Sequence, residues 1–209
     1  YKFEEDENEK SLKITPINAK IDFENLKELD WKYFGDDKNI YYFDESDFKK
    51  LDKADINSFE RIDFTAFFKD KNNVYYEGEK VEGIDMNSIE VINGMCIKDK
   101  NSVFYEGKKL RNISPNNFNI FDGGISYDKI LVDKNGAYKL LENENQKDKI
   151  IPLDSKNIDL KTLERIDSPI DSSNYFKDKN GVYFLNGEKF VKINGADRDS
   201  FEVTMSGKY

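Results

Sequence analysis

The chain repeats one short phrase, and that repetition limits its fold more than any bulk property does. The five copies are Asp37-Lys38-Asn39, Asp70-Lys71-Asn72, Asp99-Lys100-Asn101, Asp133-Lys134-Asn135 and Asp178-Lys179-Asn180. Aromatic residues follow each copy at once: Tyr41-Tyr42, Tyr75-Tyr76, Phe104-Tyr105, Tyr138 and Tyr183-Phe184. Successive phrases start 33, 29, 34 and 45 residues apart. A period near thirty with variable inserts marks a repeat architecture, in which each unit packs on its neighbours.

The last copy shows how one unit is built. Asn174-Tyr175-Phe176-Lys177 is a β-prone run. Asp178-Lys179-Asn180-Gly181 then turns the chain: Asp accepts backbone N–H groups, and Asn or Gly tolerates positive φ. Val182-Tyr183-Phe184-Leu185 returns, Asn186-Gly187 reads as a type I′ hairpin turn, and Glu188-Lys189-Phe190-Val191 supplies a third strand. Glu77-Gly78 and Glu106-Gly107 stand at the same second turn.

Between units runs Asp-x-x-Ser-Phe-Glu or a variant of it, which reads as a turn of helix with Asp55 as an N-cap. Phe59 and Ile62 would share one face of that turn as pegs into a neighbouring unit. The pair recurs as Leu26/Leu29, Ile89/Ile92 and Leu163/Ile166. The first copy aligns on the second without a gap, Asp30-Trp31-Lys32-Tyr33-Phe34 lying over Asp63-Phe64-Thr65-Ala66-Phe67. The expected fold is mainly β: about five tandem three-stranded meanders joined by short helical turns. Residues 1–21 read as an acidic arm and lead-in, and residues 22–209 as a single array. The polar insert at 140–149 makes the fourth unit degenerate.

These phrases resemble the bacterial DKNYY repeat family from about Asp22 to Val203, with Asp70-Lys71-Asn72-Asn73-Val74-Tyr75-Tyr76 nearest the family signature. The resemblance implies a repeat architecture and a bacterial origin, and it carries over no catalytic residue.

The chain has one cysteine, Cys96, and no histidine, so histidine-based triads, Cys/His zinc sites and an internal disulfide are excluded. Counted from Asp70 or Asp178 as a calcium loop, positions 5 and 12 fall on Val74 and Val81 or on Val182 and Lys189, so the ligand set fails. The phrase residues Asp37, Asn39, Asp70, Asn72, Asp99, Asn101, Asp133, Asn135, Asp178 and Asn180 are therefore read as turn residues. No catalytic residue, metal ligand or cofactor is expected. Cys96 reads as a small buried strand residue. A glycosidase-like carboxylate pair among the 42 acids is the remote enzymatic alternative.

The net charge of −9 and the scattered cations argue against nucleic acid, and no apolar run is long enough for membrane insertion. Aromatics make up 14% of the chain. Adjacent strand residues point to opposite faces, so one ring of each pair can face outward. The candidate binding aromatics are Tyr42, Tyr76, Tyr105, Tyr138 and Phe184. The preferred alternative is that both rings of a pair are covered by neighbouring units. The expected function is a non-enzymatic interaction module that binds a protein partner through an extended surface, with charge favouring a basic one. The second reading is a cell-envelope carbohydrate-binding module using the aromatic rows. The single thiol leaves the compartment open, with an exported setting slightly favoured.

Overall fold

The computed structural model describes residues 2–6, 11–15, 21, 24–122, 129–141, 149–166 and 174–204. The chain divides into two compact units, Tyr1–Arg111 and Asn112–Tyr209, where the sequence reads as one array. In the first unit the acidic arm contributes a hairpin, β1 (Lys2–Asp6) paired antiparallel with β2 (Ser11–Thr15).

Three four-stranded antiparallel sheets follow in the same unit. The first repeat is β3 (Lys27–Asp30), β4 (Tyr33–Gly35), β5 (Ile40–Phe43) and β6 (Phe48–Lys50). The second is β7 (Glu60–Arg61), β8 (Phe67–Lys69), β9 (Val74–Tyr76) and β10 (Glu79–Lys80). The third is β11 (Glu90–Asn93), β12 (Cys96–Lys98), β13 (Val103–Tyr105) and β14 (Lys108–Lys109). The second unit holds two more such sheets. The fourth repeat is β15 (Asn119–Asp122), β16 (Lys129–Val132), β17 (Ala137–Leu141) and β18 (Lys149–Pro152). The fifth is β19 (Glu164–Arg165), β20 (Tyr175–Asp178), β21 (Gly181–Asn186) and β22 (Lys189–Lys192).

The mainly β, five-repeat fold is as expected, but each meander has four strands, not three. The extra strand comes from the segment read as helix. Only its first half is helical, as the single 3-10 turns Ile56–Ser58 and Met86–Ser88. Its second half becomes the leading strands β7 and β11. Three residues of helix save too few hydrogen bonds to propagate, whereas Glu60 and Arg61 gain a ladder against Lys69 and Phe68.

Two further local readings change. The last hairpin loop is Gly187-Glu188, because Asn186 still pairs with Lys189. Positive φ is confined to Gly187, at 62°, which is the type II′ pattern and not type I′. At the loops read as weaker signals, Glu77 and Gly78 (46° and 73°) and Glu106 and Gly107 (47° and 72°) take positive φ at both residues, as type I′ requires. The second turn of the fourth repeat lies outside the described residues.

The strands carry unbroken apolar runs because both faces of a sheet are covered. In β8 the adjacent rings Phe68 and Phe67 serve two different cores. Phe68 packs with Tyr33, Ile40, Tyr42, Leu51 and Tyr75, between the first and second repeats. Phe67 packs with Ile62, Val74, Val81, Ile97 and Phe104, between the second and third. In the second unit, Ile130, Val132 and Leu153 meet Phe176, Tyr183 and Phe190 in the same way. Phe59 acts as the expected peg: its ring lies 5.2 Å from Tyr33 in the first repeat and 5.4 Å, stacked, from Phe68 in the second.

Candidate functional site

In an antiparallel meander the turn between strands two and three lies at one end. The other two turns lie at the opposite end. The phrase occupies the first of these ends and uses its polar groups internally. Asp70 is 2% exposed, and its Oδ1 accepts the N–H groups of Asn72 and Asn73, each at 2.7 Å. Its Oδ2 accepts the N–H of Asp55 at 2.8 Å and the Tyr75 hydroxyl at 3.0 Å. The pattern recurs at Asp99, whose oxygens accept from Asn101, Ser102 and Asp85, and at Asp133, which accepts from Asn135, Gly136 and Ser114. Asp178 takes the same donations from Asn180, Gly181 and Asp159.

This geometry explains the aromatic five residues after the Asp. The Tyr41 hydroxyl donates to the first repeat's carboxylate at 2.8 Å, as Tyr75 does to Asp70. Tyr138 and Tyr183 have raised pKa values, first from burial and then from the carboxylates of Asp133 and Asp178, and Tyr183 is pushed up to about 12. Only the third repeat departs, with Phe104 at this position.

In the first repeat the carboxylate belongs to Asp36, not to Asp37. Asp36 Oδ1 accepts from the N–H groups of Lys38 and Asn39 at 2.7 Å each, while Asp37 is exposed. Burial favours the neutral form of Asp36, but the donors on Lys38, Asn39 and Tyr41 outweigh it and hold its pKa at about 2. The ungapped alignment therefore slips by one residue. The slip sits in the first turn, where four residues separate Glu28 from Tyr33 and five separate Arg61 from Phe67.

The lysine of the phrase closes a second contact. Lys71 Nζ pairs with Asp55 Oδ2 at 2.6 Å, and the Lys71 N–H donates to Ser58 Oγ at 3.0 Å. Lys100 repeats this on Asp85 and Ser88, and Lys179 on Asp159 and Thr162. Each pairing lowers the carboxyl pKa and raises that of the lysine. Asp55 thus makes no cap bond to its own 3-10 turn and directs its carboxylate to Ser58 and Lys71. Asp-x-x-Ser and Asp-Lys are two halves of one latch, and the sequence shows both without showing that they meet.

The candidate binding aromatics do not form an outward row. Tyr42 and Tyr105 are buried, and Tyr76, Tyr138 and Phe184 are half-buried. A Cβ on Gly78 would lie 2.7 Å from Tyr42 Cβ, and one on Gly107 would lie 2.8 Å from Tyr76 Cβ. The second turns of the second and third repeats therefore lie directly on Tyr42 and Tyr76, the second aromatics of the repeats before them. Tyr138 stands at the carboxylate-bonding position, and Phe184 packs 5.1 Å from Tyr175. Cys96 is fully buried, which pushes its thiol up to about 12, away from a reactive thiolate. Among the described residues no group of three or more acids and cysteine is placed to hold a metal ion.

The opposite end is open, and sequence reasoning missed it. Phe64, at the tip of the β7–β8 turn, is 96% exposed. Trp31 at the β3–β4 turn and Met95 at the β11–β12 turn are 45% and 49% exposed. The three turns are tied in a row. Arg61 donates from Nε to the Thr65 carbonyl, reaches Asp30 at 3.7 Å, and sits 5.7 Å over the Trp31 ring. The Ala66 N–H donates to the Gly94 carbonyl at 2.7 Å. Leu29 and Val91 add exposed apolar surface in the same unit. A large apolar residue at a turn tip, as in Asp63-Phe64-Thr65, was the available signal.

Latched four-stranded sheets in tandem define a repeat-built β protein. A family model described as the DKNYY family matches residues 2–79 and 67–209, so the chain belongs to that family. No curated protein and no solved structure matches it.

Proposed function

We propose that the chain is a non-catalytic interaction module and that a protein partner docks on the turn end of its first unit. The observation that carries this is the row Trp31, Phe64 and Met95, large apolar side chains held out at successive turn tips. Turn tips have no packing reason to be apolar, and contiguous exposed apolar groups mark interaction surfaces. The Ala66–Gly94 hydrogen bond and the contacts of Arg61 with Asp30 and Trp31 tie the turns to one another, which would lower the ordering entropy lost on binding. Among the described residues the carboxylates at the phrase end are occupied by backbone N–H groups, and no comparable row of apolar turn tips stands there.

Affinity capture from the source organism, with the wild-type chain beside Phe64→Ser and Met95→Ser, tests the reading. A protein retained by the wild type and lost with both variants supports it. Retention indifferent to both substitutions, or binding on a glycan array in place of a protein, contradicts it.

A further inference from the structure

We infer that the partner presents a basic amphipathic segment, apolar residues flanked by lysine or arginine, to the turn end of the first unit. This rests on the reading of that end as the docking face and adds the chemistry of what docks. The apolar row is set in acidic surroundings. The turns that share its end carry Asp44, Glu45, Asp47, Asp63, Glu77 and Glu106. The cations close by are already engaged. Lys32 pairs with Glu45 at 2.6 Å, and Arg61 lies between Asp30 and Trp31. Beside Phe64, a groove of about 370 Å³ runs between the leading strands β7 and β11. Ile62, Met86, Ile89 and Val91 line it together with the polar side chains of Glu60, Arg61, Asp63 and Lys69. Lys69 pairs with Glu60 at 3.1 Å, and Asp63 is exposed at the wall. An apolar side chain can enter beside Met86, Ile89 and Val91 while a neighbouring cation meets Asp63.

The whole chain points the same way. At a net charge of −9 it repels acidic partners and steers basic ones toward it. Exposed carboxylates beside the apolar row also oppose an anionic lipid surface, which would otherwise be a natural host for Trp31 and Phe64.

The chain carries its own reporter. Trp31 is its single tryptophan and stands in the row, so docking there moves Trp31 into an apolar environment and shifts its emission to the blue. A random twelve-residue peptide library is panned on the full chain and counter-selected on Phe64→Ser. Enriched peptides are then titrated against the wild type, Phe64→Ser, Met95→Ser and Glu77→Lys, with Trp31 emission as the readout. The expected result is enrichment of peptides with net positive charge and several apolar residues. They should give a blue shift, bind each variant at least about tenfold more weakly, and lose affinity as salt rises.

Phe64 has almost no contacts to lose, and Glu77→Lys keeps a long side chain at the same turn, so urea midpoints near the wild-type value confirm intact variants. Enrichment of neutral or acidic peptides that still depend on Phe64 overturns the basic partner and leaves the docking face standing. Absence of any Phe64-dependent peptide overturns both. A blue shift produced by phosphatidylcholine vesicles alone, without Phe64-dependent peptides, assigns the row to a membrane surface and overturns the proposal.

Discussion

The Oδ2 atom of Asp99 accepts the backbone N–H of Asp85 at 2.7 Å, across fourteen residues of chain. That bond joins the start of the third repeat to its central turn, and its counterparts do the same in the second, fourth and fifth repeats. Short strands such as β7 and β10, of two residues each, form ladders too small to be stable alone. The buried carboxylate supplies charge-assisted hydrogen bonds that the ladders lack.

The third repeat offers a gain of stability. Phe104 stands where the other repeats place a tyrosine, and Ser102 Oγ is buried without a hydrogen-bond partner. Phe104→Tyr would bring a hydroxyl to Asp99 in the manner of Tyr75 on Asp70. A rise of about 1 kcal/mol in urea unfolding is expected. A loss of more than about 1 kcal/mol would mean that the site cannot take the added oxygen.

Phe59 is half-buried yet touches the rings of Tyr33, Phe68 and Tyr75 across two repeats. Phe59→Ala should cost about 3 kcal/mol, the lower end for a phenylalanine, because part of the ring is already in water. A change below about 1 kcal/mol would show that the two sheets do not depend on this peg.

Gly78 meets two constraints at once. Its φ of +73° strains any other residue, and an added Cβ would press on Tyr42 at 2.7 Å. Its N–H also donates to the Tyr33 hydroxyl at 2.9 Å. Gly78→Ala should therefore destabilise by at least about 1 kcal/mol. Gly181, at φ +151°, would meet only the flexible end of Lys192, so Gly181→Val should cost less than a valine at Gly78. Thermal melts of the three variants give the order directly.

The sequence made the repeat, its period and its β character legible because the phrase is local: Asp, its turn and the following strand lie within ten residues. The fourth strand was hidden because Glu60-Arg61 is too short to alternate visibly and forms only against Lys69 and Phe68. The slip from Asp37 to Asp36 was hidden because it depends on the length of a turn one strand earlier. The latch was in view as two motifs, Asp85-x-x-Ser88 and Asp99-Lys100, but fourteen residues separate the acids and no pattern of spacing says that they touch. The cover on Tyr42 and Tyr76 was hidden for a tertiary reason, since Gly78 and Gly107 belong to the next repeat. Phe64 went unread because a turn carries no periodicity to be violated.

The acids fix the sign of the pH dependence. Asp36 titrates at about 2 in the folded chain, below its ordinary 3.8, so the unfolded chain takes up the proton first. Its contribution is complete above pH about 4 and is lost as pH falls toward about 2. Asp55, Asp85 and Asp159 are shifted in the same direction, by Lys71, Lys100 and Lys179. The lysines are raised, so their share is complete below their ordinary 10.5 and is lost as pH climbs from there through their raised folded values. Tm should be level across neutral pH and fall on both sides, with a shallower acid limb in Asp36→Asn. A Tm that rises on acidification from about pH 5 to about pH 3 would contradict this sign.

Equilibrium urea unfolding of Asp99→Ala beside Asp37→Ala tests the structural claim most directly. Asp99 is 2% exposed and holds the N–H groups of Asn101, Ser102 and Asp85, whereas Asp37 is an exposed member of the same sequence phrase. Leaving three donors without an acceptor should cost Asp99→Ala on the order of 3 kcal/mol or more. Asp37→Ala should stay within about 0.5 kcal/mol of the wild type. Equal losses, or a loss below about 1 kcal/mol for Asp99→Ala, would contradict the account of the buried phrase carboxylate as the brace of each repeat.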